Sequence, residues 1–117
     1  MFKITLFTLM VSAIVNAADM PLTDYELVPA SQTAQVLGVV GGQGDVLDKL
    51  IIVPGAQSVG AVQIHDGAGH SVNVYVGGLN LVDVKPFVVH IGARSSAGSW
   101  RVTTGSNVSV LGVGRFK

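Results

Sequence analysis

The sequence predicts an all-β protein, an antiparallel β-sandwich or jelly roll preceded by an N-terminal signal-like segment and an extended arm. Three observations predict it. Short runs rich in valine and isoleucine recur at spacings of about 8 to 15 residues, the interval at which sandwich strands follow one another. Glycine punctuates nearly every gap between them, 15 in a chain of 117 residues, which suits tight reversals. After the leader, no stretch keeps a helical apolar period over a useful length.

Taken in order, Met1-Phe2-Lys3 is a short basic start and Ile4 to Val15 an apolar run. Val15-Asn16-Ala17 then places small residues where signal peptidase cuts, before Ala18. The run is about a dozen residues, short of the roughly 20 that span a bilayer, so the mature protein is expected to have no membrane segment. Met20-Pro21 offers a second start, which makes residues 1–17 either a leader or an extension of the gene. Residues 18–34 read as an arm. Pro21 and Pro29 break it and leave room for one short strand, Tyr25 to Val28. The sandwich domain is expected over 35–117.

Within that domain Gln35 to Val40 reads as a strand and Gly41-Gly42-Gln43-Gly44 as a turn. The centre of the chain is Asp45 to Gly69. Val46-Leu47 and Leu50 to Val53 form a strand, with Asp48 and Lys49 as exposed positions or a bulge. Pro54-Gly55 stops it. Ala61 to His65 alternates, Val62 and Ile64 on one face and Gln63 and His65 on the other, and Asp66-Gly67-Ala68-Gly69 reverses the chain. Val72, Val74 and Val76 then alternate with Ser71, Asn73 and Tyr75. Leu79 to Val84 fits no single element, and Pro86 ends it. Phe87, Val89 and Ile91 point one way, Val88 and His90 the other. Trp100 and Val102 alternate with Arg101 and Thr103. The last strand carries Val108 and Val110 on one face and Leu111 and Val113 on the other, so either it crosses between layers or both its faces are covered.

Composition narrows the function. Seven basic and seven acidic residues cancel, which leaves no electrostatic footprint for nucleic acid or anionic lipid. Charged residues are only 12% of the chain and apolar ones 49%. So thinly charged a surface suits a subunit partly covered by a partner, since ordinary soluble domains carry about 25% charge. Cysteine is absent, which removes disulfide scaffolds, thiolate zinc sites and cysteine nucleophiles.

The remaining candidates for chemistry are weak. Val36 to Leu50 resembles a strand, a glycine turn and a helix start, but it lacks the Gly-Lys-Ser/Thr ending of a phosphate loop. His65, Asp66 and His70 flank one turn without a third or fourth ligand nearby, because His90 lies on a distant strand. Asp66 to Gly69 lacks the further oxygen ligands of a calcium loop. Gly55 to Gly60 is not a Gly-x-Ser-x-Gly elbow. Asp24, Glu26, Asp45, Asp48, Asp66 and Asp83 are scattered with no pairing for acid and base work. The chain is therefore expected not to be an enzyme and to bind no cofactor or metal. Trp100, in phase with Val102, reads as a core anchor rather than a stacking platform. Tyr25 and Tyr75, if exposed, suit a protein interface.

A set of short motifs adds a resemblance: Gly60-x-Val62-x-Ile64-x-Asp66-Gly67-x-Gly69, Val74-x-Val76-Gly77-Gly78, Pro86-Phe87, Gly98-x-Trp100-x-Val102-Thr103-Thr104-Gly105 and the closing Asn107 to Val110 with Gly114-x-Phe116. From about Gln35 to Phe116 the chain resembles small β-rich virion proteins of tailed bacteriophages, of the head-decoration or cement type. The resemblance implies a capsid-surface subunit that bridges neighbouring major capsid proteins, commonly as a homotrimer, with no cofactor. Contacts are then expected on the arm, Tyr25 and Glu26, on the loop Gly55 to Gly60 with Gln57 and Ser58, and at Tyr75. A cleaved leader supports a different expectation, an exported periplasmic or extracellular binding module for glycan or protein. An exposed aromatic strip of Tyr75 and Trp100 would mark it.

Overall fold

The computed structural model describes residues 24–117, all of them strands, turns and loops. The leader expected over 1–17 and the arm residues 18–23 lie outside the described residues. Eight strands follow in order: β1 Asp24–Val28, β2 Gln35–Val36, β3 Val46–Pro54, β4 Val62–Asp66, β5 Ser71–Tyr75, β6 Phe87–Arg94, β7 Trp100–Thr104 and β8 Val108–Arg115. They form two four-stranded sheets, β1-β8-β3-β6 and β2-β7-β4-β5. Every pairing is antiparallel. β1 pairs with β8, β2 with β7, β3 with β6 and β4 with β5, so the chain is one long hairpin wound into a sandwich. That is the eight-stranded jelly-roll arrangement, two Greek keys whose sheets face each other.

Alternation decides what lies between the sheets. β7 reads buried, half-buried, buried, half-buried, buried, and β8 alternates over seven residues. Leu47, Leu50 and Ile52 from β3, Val62 and Ile64 from β4, Trp100 and Val102 from β7, and Val108 and Val110 from β8 meet in one core with Val28 and Leu37. Each fully buried aliphatic side chain there contributes about 1.5–3 kcal/mol of transfer free energy before ordering costs.

The short strand that the sequence allows at Tyr25 to Val28 is β1, and the stretch from Asp24 to Ala34 lies against both sheets. β1 is an edge strand paired with β8 from Asp24↔Gly114 to Val28↔Val110. The chain after it is tied to β7: Gln32 N–H donates to Thr104 Oγ1 at 3.0 Å and Ala34 N–H to Thr103 Oγ1 at 2.9 Å. Proline interrupts the pattern at Pro29, but an edge strand needs only one partner, and β8 supplies it. β2 is shorter than the expected Gln35 to Val40. Gly38 turns at φ 92°, and a Cβ there would meet the Phe116 Cβ at 2.7 Å. Val39 and Val40 therefore leave the sheet, and the Val40 and Gly41 N–H groups bond the Lys117 carbonyl.

Two bulges set faces. The register shifts between Leu47 and Lys49 against both neighbours, so Asp48 is a bulge position, as the sequence suggests. A second shift on β5 aligns Val62 with Tyr75 but Gln63 with Asn73, leaving Val74 as the extra residue. Tyr75 consequently turns to the inner side instead of joining Ser71 and Asn73 outside. β8 stays within one sheet, with Leu111 and Val113 half-buried on its outer face.

Candidate functional site

The winding gathers the loops at two ends of the sandwich. One end holds the loops 55–61, 76–86 and 105–107, bound to each other through backbone. Val59 and Gly78 exchange N–H···O bonds at 2.9 and 3.0 Å, Leu81 N–H donates to the Gln57 carbonyl at 2.7 Å, and Gly60 N–H donates to the Ser106 carbonyl at 2.9 Å. Asn107 Nδ2 donates to the Ser58 carbonyl at 3.0 Å. The close approach depends on Gly77, at φ 78°, where a Cβ would sit 2.6 Å from the Gly60 and Val59 carbonyl oxygens.

Backbone bonds hold the 76–86 loop at residues 78–81 and Leu81 packs against the core, while most of the loop's other side chains face outward. Val76 and Leu79 are each 80% exposed and Val82 100%. Phe87, at the loop's end, stands edge-on to Tyr75 with ring centroids 5.1 Å apart. The only charges nearby on the loop, Asp83 and Lys85, face each other at 3.7 Å and are solvent-exposed; such a pair adds little stability. A pinned backbone that presents aliphatic side chains to solvent is a surface suited to a protein partner.

The five residues expected to make contacts do not form one site. Gln57 and Ser58 lie at this end, where Gln57 is exposed and the Ser58 Oγ accepts from Asn80 N–H at 3.4 Å. Tyr75 forms the half-buried floor beside Phe87 and packs on the core. Tyr25 and Glu26 are on β1, at the far edge of the other sheet. Tyr25 is exposed, whereas Glu26 is half-buried and its Oε2 accepts from Gln35 Nε2 at 3.2 Å. Sequence reasoning missed Leu79 and Val82. Their signal was the apolar run between two glycines and a proline, without period 2.

At the opposite end, His65 and Asp66 serve the fold. The Asp66 carboxylate accepts from Ala97 N–H at 2.9 Å and from the Ser96 N–H and hydroxyl, the latter at 2.8 Å, which fastens the β6–β7 loop to the β4–β5 turn. The Ala97 N–H, with Ser96 beside it, holds the Asp66 carboxyl below its ordinary range. The His65 ring lies between Ser71 Oγ and Thr103 Oγ1, each at 2.7 Å. Burial, and then the Arg101 guanidinium, lower its pKa.

Both folded pKa values lie below the unfolded ones. Their stabilisation is therefore complete above the ordinary values, 6.5 for His65 and 3.8 for Asp66, and is lost as pH falls through the folded values. Thermal unfolding followed by circular dichroism should show a midpoint that declines on acidification, with a shallower acid limb in Asp66→Asn. An identical limb would mean that the carboxylate does not tie the loop.

Trp100 is buried, and its Nε1 donates to the Asp45 carbonyl at 3.0 Å. The aromatic strip that would mark a glycan-binding module is thus not on the surface. No family model, curated protein or solved structure matches the chain.

Proposed function

We propose that the protein is a virion structural protein, a capsid decoration or cement subunit that binds neighbouring major capsid proteins on a phage head and associates with copies of itself. The observation that carries this reading is the apolar end of the sandwich, where Val76, Leu79 and Val82 stand in solvent on a loop fixed by backbone hydrogen bonds. Covering such side chains yields about 1.5–3 kcal/mol each, and a prepositioned loop loses little entropy on docking. The low charge of the chain and the resemblance of its glycine and valine motifs to phage head proteins support the same reading. Repetition by capsid symmetry then makes modest single contacts sufficient.

Particles purified on a density gradient from the source culture should contain the chain's peptides by mass spectrometry, in numbers comparable to a capsid protein. Added back to stripped particles, Leu79→Asp/Val82→Asp should bind at least about tenfold more weakly than the parent, with an unchanged thermal midpoint. Absence from particles, or undiminished binding by the variant, would overturn the reading.

A further inference from the structure

The outer faces of the two sheets differ in kind. The β2-β7-β4-β5 sheet presents polar groups, among them Gln63, His65, Asn73 and Arg101. On the β1-β8-β3-β6 sheet the register aligns Leu27 with Leu111, Leu111 with Ile51, and Ile51 with Val88. Directly opposed residues share a face, so one apolar side chain from each strand forms an unbroken row across the sheet. Tyr25 and Val113 extend it on one flank. Leu27, Val88 and Tyr25 are exposed, and Leu111, Ile51 and Val113 half-buried. An outer sheet face open to water ordinarily alternates to polar residues.

We infer that this face is the self-association surface, on which two copies pack sheet against sheet as a two-fold dimer; the inference rests on the reading of the protein as an assembly subunit. Four strands about 4.8 Å apart and five to nine residues long give a face of roughly 480 Å² per copy, and the pair buries about the 1,000 Å² that a specific interface requires. Sheets stack at about 10 Å, the distance that interdigitating aliphatic side chains set. The formal net charge is +0, so two copies approach without mutual repulsion. The row ends in an aliphatic residue on both sides, Leu27 and Val88, and a two-fold axis along it superposes the row on its symmetry mate. That axis carries Lys49 and His90, which share one flanking row, over the partner's other flank, where Val53 aligns with Ser109. Like charges are kept apart.

Analytical ultracentrifugation of the full chain, with no particles present, should give twice the monomer mass. Leu111→Lys should halve it. Leu27→Lys, at an exposed edge position that the fold does not need, should weaken self-association at least about tenfold, and it decides the matter if Leu111→Lys does not fold. Val82→Asp, on the loop, should remain dimeric. A monomeric parent overturns the inference. So does a trimer or dimer indifferent to both lysine variants, or a monomer that associates only when residues 1–19 are removed, which would mean that the chain's own leader covers the face. Particle binding is scored separately. A monomer that sediments with particles overturns the dimer and leaves the capsid reading standing, whereas a dimer never found in particles does the reverse.

Discussion

Trp100→Ala is expected to destabilise the protein by about 3–5 kcal/mol, a large part of the roughly 5–15 kcal/mol that holds a domain of this size. Trp100 begins β7, faces the core and is the single tryptophan of the chain. Its loss opens a void between the sheets that neighbours on fixed strands cannot close. Its Nε1 bond to the Asp45 carbonyl also joins β7 to the start of β3. That carbonyl keeps the Ser95 N–H at 2.8 Å, so the cost is chiefly packing. Trp100→Phe should therefore cost much less than the alanine variant. Urea unfolding followed by circular dichroism measures both, and the parent's lone indole should shift to longer wavelength as it unfolds. Equal losses for Phe and Ala would mean that the hydrogen bond dominates.

Asp45→Ala should cost about 2–4 kcal/mol. Asp45 is 2% exposed. Its Oδ2 accepts from Gly42 N–H at 3.0 Å and Lys117 N–H at 3.2 Å, while its carbonyl receives Trp100 and Ser95. Alanine keeps the carbonyl but strands two donors in a nearly closed site, at about 1–3 kcal/mol each. Asp45→Asn retains one acceptor oxygen and should recover about half of the loss in a denaturant titration. An alanine variant as stable as the parent would mean that water replaces the carboxylate and that the C-terminus is not held there.

Asp45 also illustrates what the sequence conceals. As a lone carboxylate beside a glycine turn it reads as a surface loop residue, and only the return of Lys117 and Ser95 to that point makes it a buried anchor. Local patterns were legible where the chain obeys period 2: Val62 and Ile64 against Gln63 and His65, Trp100 and Val102 against Arg101 and Thr103, and Phe87, Val89 and Ile91 inward from β6. The bulge at Asp48 was legible as well, because two charged residues interrupt an otherwise apolar strand. The β5 bulge carried no such mark, since Val74 and Tyr75 both suit a strand, and Tyr75 fell on the face opposite to the one its numbering suggests. The strand at Tyr25 to Val28 was legible, but its pairing with β8 was not, because that partner lies far along the chain. The candidate surface was half visible. Gln57 and Ser58 belong to it, but Leu79 and Val82 are apolar residues in a loop, and apolarity ordinarily signals the interior.

The pairing of β1 with β8 has a kinetic consequence. Asp24 must find Gly114 and Gln35 must find Val102 before either sheet is complete, so the loops to be closed span most of the chain. Folds dominated by such distant contacts fold in milliseconds to seconds rather than microseconds. On the ribosome, β3 would emerge long before the central strand β8 that separates it from β1, with its inward Leu47, Leu50 and Ile52 uncovered. The sandwich can close only once β8 has emerged, and until then the nascent chain depends on dilution or on a chaperone to keep its unpaired strands from pairing with those of its neighbours.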